Sequence, residues 1–293
     1  MEKRFLQLLV KNLIISMRPQ QWFKNFFIFA ALIFAYKFNE LDKVLITFAA
    51  FFLFCFASSA VYLLNDIIDL PRDRNHPLKR NRPLAAGKIS IYFVGAAAAI
   101  LGIGASTLSF CLGIYFGCAV LAYIIFNIAY SLILKHLVII DVITIALGFV
   151  IRVIGGALAI GVVFSPWLLL CTFFLTLFLA ISKRKNELLF SSHYDMRPVL
   201  SSYSIGFIEK MNVIILPITL ISYTLYTFST WHSPLFIATV PVVSYGLFRY
   251  LFILDKKIIS DDGPSADFLK DKALQITVFI WIVVVIAILY YER

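Results

Sequence analysis

Charge is scarce in this chain: only 14% of its 293 residues are Asp, Glu, Lys or Arg, where a soluble domain carries roughly 25%. Four cysteines and four histidines add little chemistry. Cys55, Cys111, Cys118 and Cys171 fall in apolar runs or at their ends without paired metal-ligand spacing, and read as small buried hydrophobes. His76, His136, His193 and His232 are scattered and frame no zinc site. The chain also lacks a low-complexity tract, a long disordered tail and a convincing internal repeat. What it has instead is hydrocarbon: 61% of residues are hydrophobic and the mean hydropathy is +0.92. That balance excludes an ordinary soluble domain and indicates a polytopic membrane protein.

Apolar runs of membrane-spanning length recur along nearly the whole chain. They cover residues 22–38, 44–65, 90–107, 112–134, 138–161, 166–184, 210–230, 234–254 and 273–290. The expected fold is therefore all-α and integral to the membrane, with nine transmembrane helices in one polytopic domain, 1–293. Residues 1–17 carry Lys3, Arg4 and Lys11 beside a stripe of Phe5, Leu9, Leu13 and Met17. They suit either an amphipathic helix on the membrane surface or an extension of the first span. Lys11 interrupts the apolar stretch and no small-residue cleavage site follows, so a cleaved signal peptide is not expected.

Nine alternating spans place 22 of the 26 cations in the N-terminal segment and in or beside the loops after the second, fourth, sixth and eighth runs. The positive-inside bias puts those loops and the N-terminus in the cytoplasm, in a cell (inner) membrane. The net charge of +10 is then explained by the anionic leaflet, and no nucleic-acid partner is expected.

One loop gathers the scarce charge. "NDIIDLPRDRNHPLKRNRPLAAG", residues 65–87, holds Asp66, Asp69 and Asp73 among five cations and His76. Spacings of three and four align the carboxylates on one face of a continued helix. Pro71 clashes with the carbonyl of Ile67 in such a helix, so Asp73 sits either on that face or beyond a kink. Three carboxylates together need a positive partner, either a metal or the neighbouring cations. Mg²⁺ takes one or two carboxylates together with water and phosphate oxygens. A carboxylate cluster beside Arg72, Arg74, Lys79, Arg80 and Arg82 therefore suits a metal-bound diphosphate. The bland alternative is a solvated loop with incidental acids.

Asn65-Asp66-x-x-Asp69-x-x-x-Asp73 resembles the first aspartate-rich motif of the UbiA-type prenyltransferase superfamily, whose members are membrane proteins of nine helices. "RPQQWFKN" (18–25), "DRNHPLKRNRPLAAG" (73–87), "YSLILKH" (130–136), Ile151-Arg152 with Gly155-Gly156, and "KRKNEL" (183–188) are similar to its decaprenyl-phosphate phosphoribosyltransferase branch. "RPVLSSYS" (197–204) adds to the set. The resemblance implies a UbiA-type fold with cytoplasmic loops capping a central cavity. It also implies Mg²⁺ held by Asp66, Asp69 and Asp73 against a substrate diphosphate.

The end of the sixth run, "ISKRKNELLF", departs from the superfamily, which carries a second aspartate-rich motif there. Lys183, Arg184 and Lys185 stand in that place, with Glu187 as the sole carboxylate before Asp195. One acidic and one basic cluster suit one metal-bound diphosphate plus one phosphate held by cations. That combination fits phosphoribosyl diphosphate as donor and a polyprenyl phosphate in the lipid bilayer as acceptor. The null for Lys183 to Lys185 is a charge cluster anchoring the helix end. The implied substrate-binding set is Lys24, Asn65, Arg74, Lys79, Arg82, Tyr130, Lys135, Arg152, Lys183, Arg184 and Glu187.

Arg152 lies within the fifth run and has two readings, a phosphate ligand or a partner for a carboxylate of another helix. Asp141 is eleven residues away, about 16 Å along the helix, too far for a direct pair. Lys24 and Lys135 either reach the active-site mouth or snorkel, and Gly155-Gly156 suits close helix packing. The resemblance extends to lipid-linked pentose for cell-envelope biosynthesis and leaves a homo-oligomer open. The competing functions are transfer of an isoprenyl group to an aromatic acceptor and transport through a path containing Asp141 and Arg152.

Overall fold

The computed structural model describes residues 2–190, 198–229, 234–255 and 270–291. His193, Asp195, Arg197, His232 and the 256–269 stretch, part of a loop expected to cap the mouth, lie outside them. Among the described residues every regular element is a helix. In chain order the α-helices are α1 (Glu2–Met17), α2 (Phe29–Phe34), α3 (Leu41–Ile68), α4 (Leu70–Asn75), α5 (Ile91–Leu112) and α6 (Ile114–Leu132). Then follow α7 (Ile140–Ile160), α8 (Pro166–Phe190), α9 (Ile205–Ser229), α10 (Val240–Asp255) and α11 (Lys272–Tyr291).

Eight described helical segments are long and apolar enough to cross a membrane, and the chain is an integral membrane protein. The ninth run is built differently. A ten-residue 3-10 helix, Pro19–Ile28, leads into the six residues of α2. At about 2.0 Å per residue and then 1.5 Å, the two cover about 29 Å, close to the hydrocarbon thickness. Nine membrane helices are thus consistent with the nine apolar runs, although one of them is composite.

Contacts divide the chain into two compact units: residues 1–137 with 148–164, and residues 138–147 with 165–293. The first unit packs Phe54, Ala57, Phe116, Val120 and Tyr123 into one cluster and Leu63, Leu84, Ile89 and Val94 into another. Leu13 and Met17 of α1 pack against the second of these. Leu13 and Met17 of the expected stripe on α1 thus turn towards protein, while Leu6, Val10, Ile14 and Ile15 are exposed. The second unit is cored by Val142, Phe178, Ile181, Ile208, Tyr250 and Leu254.

Gly155 and Gly156 lie in the first unit, where α7 passes the composite helix. A Cβ built on Gly156 would stand 2.1 Å from the Ile28 carbonyl oxygen, and one on Gly155 would meet the Phe54 ring at 2.8 Å. The Ile28 contact is backbone, which cannot rotate aside. Gly156→Ala should therefore destabilise the protein by about 2–3 kcal/mol, in the range of overpacked cores. A lowered thermal midpoint in detergent checks this; an unchanged midpoint would show that the 3-10 segment shifts freely.

Candidate active site

The aspartates are placed by the way α3 ends. Asp69 caps that helix with φ −86° and ψ 0°, and its N–H donates to the Asn65 carbonyl at 2.9 Å. The chain then starts again as α4, with Pro71 in the first turn, where a missing amide donor breaks no hydrogen bond. The Asp73 N–H donates to the Asp69 carbonyl at 2.8 Å. Asp73 thus stands beyond a break in the helix, and of the two placements Pro71 left open the second is found.

Each carboxylate has cationic company. Asp66 and Asp73 are buried, each 3% exposed. Arg82 Nη1 donates to Asp73 Oδ2 at 2.5 Å and approaches Asp66 Oδ1 at 3.4 Å, so one guanidinium nitrogen links the two acids. Arg18 donates to the same Asp66 oxygen and lies 5.2 Å from the centre of the Tyr62 ring. Its backbone is left-handed, with φ 54° and ψ 60°, a conformation that turns the chain sharply between α1 and the 3-10 helix. Asp69 accepts from Lys135 Nζ at 2.7 Å and from Asn65 Nδ2 at 3.0 Å. Lys135 arrives from 66 positions away, on the 3-10 turn Leu134–His136 after α6.

These contacts bring together six residues singled out from sequence: Asn65, Asp66, Asp69, Asp73, Arg82 and Lys135. They add Arg18. Arg74 is exposed, while Lys24, Lys79 and Tyr130 are half-buried. Among the described residues no group of three or more His, Cys, Asp or Glu side chains is arranged around one metal position. The donor chemistry still fits Mg²⁺: Asp66 and Asp73 offer hard carboxylate oxygens bridged by a cation, and Mg²⁺ needs only one or two such ligands beside phosphate oxygens and water. The bridging guanidinium marks a place where positive charge is already required.

The second unit holds the other charge cluster. Arg184, 1% exposed, donates from Nε to Asp141 Oδ2 at 2.8 Å and from Nη1 to Glu187 Oε2 at 2.6 Å. Tyr203 donates its hydroxyl hydrogen to Asp141 Oδ1 at 2.7 Å and accepts from the Ile139 N–H at 2.7 Å. Burial, and then the bond to Asp141, push the Tyr203 phenol above its ordinary pKa, so it acts as a neutral donor. Lys185 pairs with Glu209 of α9 at 2.9 Å, and Lys183 is half-buried. Arg184 and Glu187 are therefore tied to an internal network centred on Asp141.

Arg152 belongs to the first unit and is 5% exposed. Its Nε, Nη1 and Nη2 donate to Asn25 Oδ1, the Gly148 carbonyl and the Tyr123 hydroxyl at 2.8, 2.8 and 2.7 Å. Arg18, Asn25 and Tyr123 were not singled out as site residues. Asn25 carried a signal, being an amide inside an apolar run; Tyr123, one of 14 tyrosines, carried none.

The model of the UbiA prenyltransferase family matches residues 25–282. The chain belongs to this family. Within it, the decaprenyl-phosphate phosphoribosyltransferase of Mycolicibacterium smegmatis is 30% identical, covering 97% of this chain and 94% of its own. The protein of the same name from Corynebacterium glutamicum is 32% identical, covering 96% and 88%. Among solved structures, a UbiA homologue from Archaeoglobus fulgidus bound to GPP and Mg²⁺ superposes with a TM-score of 0.69 at 20% identity, over 95% of this chain and 99% of that one. A digeranylgeranylglyceryl phosphate synthase does so at 0.67 and 18%, over 98% and 99%. These structures establish a UbiA fold for the chain.

Proposed function

We propose that this UbiA-family protein transfers a 5-phosphoribosyl group from phosphoribosyl diphosphate to a polyprenyl phosphate and releases diphosphate. The observation that carries this reading is the constellation at the end of α3, where Asp66, Asp69 and Asp73 are matched by Arg18, Arg82 and Lys135. Such an array suits a diphosphate: the cations exchange carboxylate for phosphate oxygens, and the acids they release are the ligands for Mg²⁺. Support for a lipid-phosphate acceptor comes from the relatives' names and from the basic "KRKNEL" segment. Lys183 and Arg184 are the proposed ligands of that phosphate.

When bound to Asp66, Asp69 and Asp73, Mg²⁺ supplies charge neutralisation to the diphosphate. Arg18 and Arg82 orient the diphosphate so that its bond to ribose C1 points towards the acceptor. Asn65 holds Asp69 in place. As the C1–O bond breaks, its electron pair goes to diphosphate, where Arg18, Arg82 and Lys135 stabilise the added charge. An anionic oxygen of the lipid phosphate forms the new bond to C1, and because it carries no proton no general base is required. The positive-inside distribution supports delivery of the soluble donor from the cytoplasm, with the prenyl chain left in the bilayer.

The test is purified protein in detergent with Mg²⁺, radiolabelled phosphoribosyl diphosphate and polyprenyl phosphate. Label should enter the organic phase, disappear with EDTA and return with excess Mg²⁺. A folded sample that leaves the lipid unlabelled and instead prenylates an aromatic acceptor from an isoprenyl diphosphate would overturn the reading.

A further inference from the structure

Below the aspartates the first unit contains a second polar centre, and its charge is not balanced. Every acceptor of Arg152 is neutral: an amide oxygen, a backbone carbonyl and a phenol. The guanidinium also lies 4.7 Å from the centre of the Tyr123 ring and 5.1 Å from that of Phe149. Among the described residues it has no carboxylate partner. Lys24, half-buried and next to Asn25 in the chain, adds a second basic side chain. An arginine sunk among membrane helices without a counter-ion is unfavourable by several kcal/mol. Three neutral hydrogen bonds fix its direction without removing its charge.

The depth of this centre follows from α3. Asn25, which accepts from Arg152, donates to Ser58 Oγ at 3.3 Å and Cys55 Sγ at 3.2 Å. Ser58 lies two helical turns, about 11 Å, below Asp66. Tyr62, one turn down, carries Arg18. Arg18 beside Asp66 and Arg152 beside Asn25 thus form a succession of cations leading inward from the carboxylates, with Lys24 next to Asn25 in the chain. That succession matches a molecule with a diphosphate at one end and a phosphomonoester at the other. An isoprenyl chain, which is uncharged and unable to accept a hydrogen bond, would leave Arg152 without an anion.

We infer that Arg152, held by Asn25 and Tyr123, forms with Lys24, the chain neighbour of Asn25, a phosphomonoester subsite that selects a phosphorylated sugar over an isoprenyl group. On the function proposed above, its occupant is the 5-phosphate of phosphoribosyl diphosphate. The same chemistry exists on the lipid acceptor, so the test separates the two sources.

Ribose 5-phosphate and inorganic diphosphate are titrated separately against labelled phosphoribosyl diphosphate bound to the full-length protein in detergent, and KM is measured for donor and lipid. Arg152→Gln and Lys24→Gln should each weaken displacement by ribose 5-phosphate about tenfold or more, the scale of a lost charged hydrogen bond. Displacement by diphosphate should stay within about twofold, and donor KM should rise while lipid KM does not. Equal displacement by ribose 5-phosphate in wild type and variants overturns the subsite, as does a rise confined to lipid KM. If Arg152→Gln does not fold, Lys24→Gln decides by the same criteria. Absence of labelled lipid product from wild type, with Arg152-dependent binding of ribose 5-phosphate measured directly, removes the transfer reaction and leaves the subsite standing.

Discussion

Asp66→Asn should lower phosphoribosyl transfer about a thousandfold, the kinetic equivalent of about 4 kcal/mol, while the protein stays folded. The amide keeps the shape of the carboxylate and loses the charge on which a hard cation depends. Stability should survive because the partners left behind are not sealed in: the side chains of Arg18 and Arg82 retain 22% and 28% exposure. They can regain water when the buried carboxylate loses its charge, so the cost should stay well below that of a pair in which both partners are buried. Turnover and thermal midpoint measured on one preparation distinguish the cases. Turnover near that of wild type would remove Asp66 from the chemistry, and a collapsed midpoint would make it a structural residue.

A milder loss is expected at Asp69, whose side chain is 26% exposed and keeps company with Lys135 and Asn65. The contrast has a physical origin. Asp66 and Asp73 share one guanidinium nitrogen, so neutralising either one changes the field at the other. Asp69, at the end of α3 where the break falls, has its own ammonium. The break set by Pro71 therefore does more than interrupt α3: it turns three acids that a continuous helix would stack on one face into a bridged pair and a separate member.

How much of this was legible depended on whether the information was local. Nine apolar runs are a property of length and hydropathy, and eight reappear as membrane-length helical segments. The Asp66–Asp69–Asp73 spacing and the conflict between Pro71 and Ile67 are local too, and both bear on the observed break. The composite first span was not legible, because a 3-10 segment and an α-helix share the same apolar composition. The end of the 3-10 segment also lies against the distant Gly156, a contact that no local pattern shows. Arg18 resisted for another reason: its pairing with Asp66, 48 positions away, depends on a left-handed backbone that no periodicity announces. The pairing of Arg184 with Asp141 was not legible because the two are 43 positions apart, and Tyr203, which donates to the same carboxylate, is 62 positions from it.

That burial separates two roles for Arg184. Asp141 is fully buried and Arg184 nearly so, so Asp141→Asn should destabilise the protein by about 3–5 kcal/mol, the range for removing one partner of a buried pair. The amide still accepts from Tyr203 but no longer offers a charged oxygen to the Arg184 guanidinium. Adding Arg184→Met removes the buried charge, and apolar replacement of buried pairs is often close to neutral, so the double variant should recover most of the lost midpoint. Its activity is then decisive. If Arg184 holds the acceptor phosphate, the double variant regains stability without regaining transfer, and KM for the lipid stays high. If stability and transfer return together, Arg184 serves only to lock α8 to the start of α7, and the acceptor phosphate belongs to Lys183. A double variant no more stable than Asp141→Asn would refute the buried-pair account itself, because loss of the charged contact between Asp141 and Arg184 would then not be the cause.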